Sequence, residues 1–444
     1  MRSSEKLELP FTVHVERIIP GGKGLAFFQG RAVFVPQATP GDLLLVRGIR
    51  DRGSYLQVLS FEILEPSSER VRPPCPFFGD CGGCDFQQMA YSRQLMSKQG
   101  ILLDALKRIG KINLPPDKVA VFPSLPLHYR NRIQLKVTPQ SLPLKWGFYA
   151  PESHRVCEID DCLLATRSLW EAAQWMRKLL DRIPMKGGEL EEVEILEGDE
   201  QQYLGTLVLR ENQHSFDLVV EGLKQELRKS LEGPAWTIDL LSPSGESKCV
   251  WGNGHVWKTV GEFRYRVSQG AFFQINETML SKLQERALDG CTGKRALDLF
   301  CGVGFFTLPM SKRFESVAAV EVNPGATLDL KTNLDENHVL NCEVLNLNLA
   351  DFLGRAQASR SSELDLLLID PPRTGLPPRT VQGIAELKAK KLVYVSCDPS
   401  TLARDLALLV KAKYEITCLD LLDLFPQTHH LEGIVRLERR PEKG

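Results

Sequence analysis

Residues 296–304 read Ala296-Leu297-Asp298-Leu299-Phe300-Cys301-Gly302-Val303-Gly304, an apolar run that ends in two closely spaced glycines. The run Ala296–Phe300 has the length and apolarity of a buried strand. The glycines after it allow a tight turn and a close approach of backbone to a ligand. Similar runs follow at Val317–Val320, Leu366–Ile369 and Leu392–Val395, separated by stretches of helical periodicity. That alternation predicts an α/β fold from about residue 267 onward, with a mostly parallel sheet and helices on both faces.

Open parallel sheets bind ligands at the carboxyl ends of their strands. Each predicted strand here ends in polar or reactive residues: the Gly302–Gly304 loop, Glu321, Asp370-Pro371-Pro372-Arg373 and Ser396-Cys397-Asp398-Pro399. Glu321 lies some 20 residues beyond the glycine pair, the spacing at which an acid meets a ribose diol in nucleotide-binding folds. Thr307 occupies the place of a third glycine, so a dinucleotide is not favoured and an adenosyl ligand remains open. Alone, the glycine pair is equally compatible with an ordinary turn. A cysteine is more often a buried, inert thiol than a nucleophile. Cys397, however, sits at a strand end just before a helix that opens near Thr401, and a helix N-terminus favours a thiolate.

The 444 residues are too many for one core, and three parts are expected: 1–67, 68–266 and 267–444. Residues 7–65 alternate short apolar runs, such as Ala32–Val35 and Leu43–Val46, with Gly and Pro turns, which suggests a small barrel. A helix is expected over 93–109, with Leu95, Leu102, Leu103, Leu106 and Ile109 on one face. It is expected to pack on the carboxyl-terminal domain despite its early position. Residues 125–265 read as mixed, with a strand at Leu204–Leu209 and a helix at Arg167–Leu180.

Hydrophobic content of 43% and charged content of 25% mark a soluble globular chain. No apolar run is long enough to span a bilayer, and Met1–Pro10 lacks the apolar core of a signal peptide. A cytoplasmic monomer with no membrane partner is expected. The net charge of −1 argues weakly against a nucleic-acid partner, although a basic face can hide in a neutral total. His128-Tyr129-Arg130-Asn131-Arg132 is one candidate for such a face, extended by Arg70, Arg72, Lys23 and Arg31.

Eleven cysteines in a reducing compartment are not expected to form a disulfide framework. Cys75, Cys81 and Cys84 have C-x5-C-x2-C spacing, loosened by Gly79, Gly82 and Gly83. Such a loop can converge on a metal centre. Zinc and an iron–sulfur cluster both require a fourth ligand, for which Cys157 and Cys162 are candidates.

Five segments together carry a resemblance: Phe272-Phe273-Gln274-Ile275-Asn276, Asp298–Gly304, Asp370–Arg373, Ser396–Pro399 and His430-Leu431-Glu432. In order and spacing they resemble the RNA 5-methyluridine methyltransferases, over almost the whole chain. The resemblance implies a Rossmann-like class I methyltransferase domain at 267–444. It also implies an OB-like β-barrel of the RNA-binding TRAM type at 1–67, and a mixed α+β central domain at 68–266 that holds a metal cluster. S-adenosyl-L-methionine is the implied methyl donor, contacted by Gln274, Phe300, Glu321, Asn348 and Asp370. Cys397 aligns with the nucleophile and Glu432 with the base. Read by itself, Glu432 is a charge flanking an edge strand at Ile434–Leu437. Cys162 becomes the fourth ligand, with Cys75, Cys81 and Cys84, to a [4Fe-4S] cluster.

Members often carry Asn where this chain has Phe305, so no cofactor contact is assigned there. Methyltransferases that act on exocyclic amines often have an aromatic residue at the position of Arg373, which lowers that reading. Cluster-bearing members with a barrel resemble the 23S ribosomal RNA branch, with transfer RNA as the alternative substrate. The rivals are an amino-methylating enzyme, a non-catalytic RNA-binding or assembly factor, and an iron–sulfur electron carrier.

Overall fold

The computed structural model describes residues 8–138, 143–183, 189–210, 213–229, 234–242, 244–358 and 363–441. Its largest sheet has eight strands: Val119–Phe122 (β1), Gly293–Leu299 (β2), Phe314–Glu321 (β3), Cys342–Asn346 (β4), Leu366–Ile369 (β5), Lys391–Ser396 (β6), Tyr414–Leu422 (β7) and Glu432–Arg439 (β8). They run in the order β4-β3-β2-β5-β6-β8-β7-β1. Strands β2 to β6 are parallel to their neighbours, and β8 runs antiparallel between β6 and β7. Every residue of β5 is buried, as expected of a central parallel strand covered on both faces. The strand order reverses between β2 and β5, so the crevice at their carboxyl ends is the natural ligand position.

Two sequence expectations need correction. The stretch 68–266 is not one unit, because β1 lies parallel to β7, with Val119 opposite Leu419 and Phe122 opposite Leu422. The helix Tyr91–Ala105 (α1) continues as a π-helical turn, Leu106–Gly110. Ile101, Leu102, Ala105 and Leu106 share one apolar cluster with Leu402, Leu406 and Leu419, so segment 91–122 packs with the carboxyl-terminal layer. At Gly110 a Cβ would stand 2.8 Å from the carbonyl of Ala403, which fixes how closely the π-turn lies on the helix Pro399–Lys411. Ile109 is exposed instead of extending the apolar stripe. The second correction concerns β8, which is interior to the sheet, so Glu432 does not flank an edge.

A seven-stranded sheet is assembled from residues 132–251, with Leu190–Glu197 and Gln202–Leu209 at its centre. The helix Arg167–Leu180 packs on it and is capped by Thr166, whose hydroxyl accepts from the amide of Leu169. A hairpin, His255–Val260 and Phe263–Ser268, leads into the carboxyl-terminal domain. At the other end of the chain, residues 11–65 form a six-stranded sheet around Phe11, Val13, Val33, Val35, Leu44, Val46 and Leu56. Among the described residues, no helix is long and apolar enough to cross a membrane.

Candidate active site

The loop after β2 is built from unusual backbone conformations. Phe300, Gly302 and Gly304 have φ of +64°, +52° and +93°. At Gly304 a side chain is excluded, since its Cβ would stand 2.4 Å from Leu330. Glu321, at the end of β3, holds the loop from the side: its carboxylate accepts from the amides of Gly302 (3.1 Å) and Asn323 (2.8 Å). Asn323 then caps the helix Pro324–Glu336 (α2) by accepting from Gly325 and Ala326.

Thr307 has a specific task at the place of the missing third glycine. Its hydroxyl donates to Asp298 at 2.6 Å. Asp298 is buried, and its other carboxylate oxygen has no partner. Burial, and then the neighbouring Asp370 and Glu321, push its pKa up to about 7. Phe305, in contrast, joins an apolar wall. Its ring lies 5.6 Å from Phe273 and 4.9 Å from Phe306, in edge-to-face contact with both.

Asp370, at the end of β5, is pushed up to about 7 by burial. The amide nitrogen of Gln274 reaches it at 3.5 Å, the outer limit of a hydrogen bond. Gln274 therefore meets Asp370 from a different segment, and Asn131 steadies that segment by donating to the Gln274 carbonyl. Asn348 is not brought into this group by any contact. Both ends of its side chain engage Asp351, as the cap of the helix Leu349–Ala358.

Cys397 follows β6 directly, and Asp398 caps the next helix, Pro399–Lys411 (α3), by accepting from Ser400 and Thr401. Ser396 pairs with Gly433 across the β6–β8 ladder, so Cys397 and Glu432 are neighbours at the ladder's end. Burial pushes the Cys397 thiol up to about 12. The Glu432 carboxylate adds to this, while the hydrogen-bonding guanidinium of Arg373 opposes it. Glu432 is only 4% exposed. Burial and the nearby Asp370 hold its carboxyl well above the usual range, again against Arg373. Burial, His429 and Arg373 push His430 down to about 3, which leaves a neutral imidazole. Thiol and carboxyls thus compete for negative charge, and a cation entering the crevice would favour the ionised form of each.

Alkylation of Cys397 should therefore be slow near pH 8 and still be rising at pH 10, because the raised pKa keeps the thiol protonated. Glu432→Gln removes a cause of that rise and should accelerate alkylation severalfold at pH 9. Peptide mass mapping after iodoacetamide treatment measures both effects. An unchanged rate in Glu432→Gln would separate the two side chains electrostatically.

A cavity of about 260 Å³ elsewhere is lined by Cys75, Cys81, Cys84 and Cys162, together with Arg130, Gln87 and Asp161. Cys157 does not line it. Burial, and then Cys157, Cys162 and Cys75, push Cys81 up to about 11; burial pushes Cys84 up to about 12. Gly82 lets the loop turn here, since a Cβ would stand 2.6 Å from the carbonyl of Tyr149. Nε of Arg130 is buried without a partner. The side chains are not drawn onto one point: among the described residues, no three His, Cys, Asp or Glu groups stand together as metal ligands. Four thiols and a cation around one cavity are nevertheless a donor set and counter-charge that suit an anionic metal–thiolate cluster.

The expected basic face at 128–132 is not found. Tyr129 and Asn131 are fully buried, and Arg132 pairs with Glu194. Arg70, Lys23 and Arg31 pair with Asp42, Glu152 and Asp51. Arg72 is exposed. The stretch instead supports the site from below: Tyr129 donates to the Pro426 carbonyl, and Asn131 to Gln274 and Glu277. Arg373, Thr307 and His430 are the site residues that sequence reasoning left without a role.

The profile of the tRNA (uracil-5-)-methyltransferase family matches residues 90–440. A protein of Aquifex aeolicus named as an uncharacterized RNA methyltransferase is 32% identical over 435 residues, covering 97% of this chain and 98% of that protein. The 23S rRNA (uracil(1939)-C(5))-methyltransferase RlmD of Shewanella amazonensis is also 32% identical, covering 98% and 97%. Among solved structures, the Pyrococcus abyssi tRNA (uracil-54, C5)-methyltransferase in complex with S-adenosyl-L-homocysteine shares the fold. It superposes with a TM-score of 0.73 at 24% identity, covering 96% of this chain and 100% of that one.

Proposed function

Because the chain belongs to the RNA uracil-5 methyltransferase family, we propose that it methylates carbon 5 of one uridine in 23S ribosomal RNA through a transient bond to Cys397. The observation that carries this reading is the pairing of Ser396 with Gly433, which sets Cys397 beside Glu432 at the end of the β6–β8 ladder.

Carbon 5 of uracil is too weakly nucleophilic to take a methyl group unaided. The Cys397 thiolate adds to carbon 6, and the electron pair moves to carbon 5 as an enolate. S-adenosyl-L-methionine supplies an electrophilic methyl group on a sulfonium when bound. Once carbon 5 holds the methyl group and the donor has left as a neutral thioether, Glu432 removes the carbon 5 proton, and the electrons of that bond expel the Cys397 thiolate from carbon 6. Glu321 suits the ribose diol of the donor, while Asp370, Gln274 and the Phe300–Gly304 loop suit the rest of it. Asn348 would have to leave its cap to take part. Arg373 favours the thiolate and the carboxylate together, which the reaction requires in succession. The target base must leave its stack to reach Cys397.

Cys75, Cys81, Cys84 and Cys162 would hold a [4Fe-4S] cluster, which would staple the 75–162 region. Protein purified anaerobically should contain about four irons and four sulfides per chain, the content of one such cluster. Zinc without iron would replace that assignment. The amino-terminal six-stranded sheet is assigned to RNA contact, in the TRAM role that the resemblance implies.

Ribosomal RNA is favoured over transfer RNA because the RlmD relative matches end to end at 32% identity. Ribosomal and transfer RNA from a strain lacking the gene should be incubated with the purified enzyme, and 5-methyluridine mapped by mass. One new 5-methyluridine in the large-subunit RNA is expected. Modification confined to transfer RNA would move the enzyme to the other branch.

A further inference from the structure

Residues 423–431 form a strap that joins β7 to Glu432, and most of it is buried. Its first half is held by fixed elements. Lys98 of α1 donates to Asp423 (2.5 Å) and to the Phe425 carbonyl (2.9 Å). Asn276 donates to the Leu424 carbonyl and Tyr129 to that of Pro426. Gln94 exchanges two 3.0 Å hydrogen bonds with Gln427.

In the half nearest Glu432, the Thr428 hydroxyl donates to the Phe425 carbonyl and accepts from the His430 amide within the strap, and a tie from outside it comes from Asp85, the residue after Cys84. The amides of Asp85 and Phe86 both donate to the Gln427 carbonyl, at 2.9 and 3.0 Å, where Gln427 takes a left-handed φ of +67°. The Asp85 carboxylate accepts from the His429 amide at 3.1 Å and pairs with His429 Nδ1 at 2.7 Å. Gly22 of the amino-terminal sheet closes over this contact: a Cβ there would lie 3.0 Å from Asp85 and 3.3 Å from His429.

We propose that Asp85 is a positioning residue for Glu432, tying the cysteine loop to the strap that carries the base. The inference rests on the reading of Glu432 as that base. Cys397 is fixed by β6 and the Asp398 cap, whereas Glu432, paired with Leu422 at the very start of β8, is entered directly from the strap, so loosening the strap leaves thiol addition intact and slows proton removal. The cysteine loop thereby acts on one step of the reaction at a distance.

The test is a single-turnover assay that follows formation and resolution of the protein–RNA adduct, with iron content measured for each protein. Asp85→Ala should form and methylate the adduct at a near-normal rate, then resolve it about 10- to 100-fold more slowly, as expected for a displaced catalytic group. The KM for S-adenosyl-L-methionine should stay within about twofold of normal, since Asp85 touches no donor-binding residue. Asp85→Asn keeps an oxygen for the His429 amide and should recover most of the rate. His429→Ala leaves the Cys84 loop's own sequence unchanged, although His429 borders the same cavity, and should also retain the adduct; the iron content measured for each protein separates loss of the cluster from loss of the tie. Normal resolution in Asp85→Ala or His429→Ala, while Glu432→Gln retains the adduct, would overturn the proposal. Failure of Glu432→Gln to retain it would instead remove the reading of the base.

Discussion

Cys397→Ala is expected to reduce methylation of RNA by about 10⁴-fold or more, to background, as in other enzymes stripped of a covalent nucleophile. No other cysteine can substitute. Cys301, which also follows a strand of the parallel sheet, is buried in the apolar core, and burial holds its thiol well above the usual range. Binding of S-adenosyl-L-methionine, measured by calorimetry, should change by less than about twofold, because the groups proposed to bind the donor lie on other strand ends. Stability should change little as well, since Cys397 is only partly buried and no backbone bond depends on its side chain. The pairing of lost turnover with retained donor binding distinguishes a nucleophile from a packing residue. Undiminished methylation by the variant would return the amino-methylating reading, in which no thiol is needed.

Glu432→Gln is expected to form the adduct, transfer the methyl group and then stall. Positioned proton transfer commonly contributes 10²- to 10⁴-fold, so turnover should fall by about that factor. The stalled species should appear as a protein–RNA band on a denaturing gel with unmodified RNA. In the wild type, the raised pKa of Glu432 adds a pH dependence of definite sign. The base acts only when ionised, so the rate of adduct resolution should fall as pH falls. The cause of the rise is burial beside Asp370, and a bound cation relieves it. Donor binding should therefore be accompanied by proton release, measurable as a buffer-dependent enthalpy. A variant that turns over freely would assign the proton to another group, and Asp370 would be the first candidate.

The strand ends were legible because buried parallel strands are continuous apolar runs, and the residues that interrupt them stand out. Ala296–Phe300 and Leu366–Ile369 announce themselves in this way, and their termini are where ligands bind. Periodicity, however, reports a face and not its partner. The stripe of α1 correctly placed Leu102 and Leu106 inside, but nothing in it revealed that Gln94 and Lys98 are buried too, held by the strap before Glu432. Likewise β1 is four residues long, too short to announce its sheet, and it joins β7 across nearly three hundred positions of sequence.

Charges mislead for a related reason. Arg132 and Arg70 look like phosphate ligands in a sequence, because their partners Glu194 and Asp42 are distant along the chain. The resemblance implies a donor contact at Asn348, and the structure adds its bond to Asp351. Thr307 was noted as a missing glycine. Its actual task, holding a buried Asp298, has no sequence signal other than the nine-residue spacing between the two.

The most direct measurement of the chemistry uses RNA in which the target uridine is replaced by 5-fluorouridine, incubated with enzyme and S-adenosyl-L-methionine. Fluorine at carbon 5 leaves no proton for Glu432 to remove, so the adduct cannot resolve. Digestion and peptide mass mapping should find one methylated 5-fluorouridine on the peptide containing Cys397 and on no other cysteine peptide. An adduct on a different cysteine, or formation of 5-methyluridine in normal RNA with no adduct on the fluorinated one, would contradict the covalent role of Cys397.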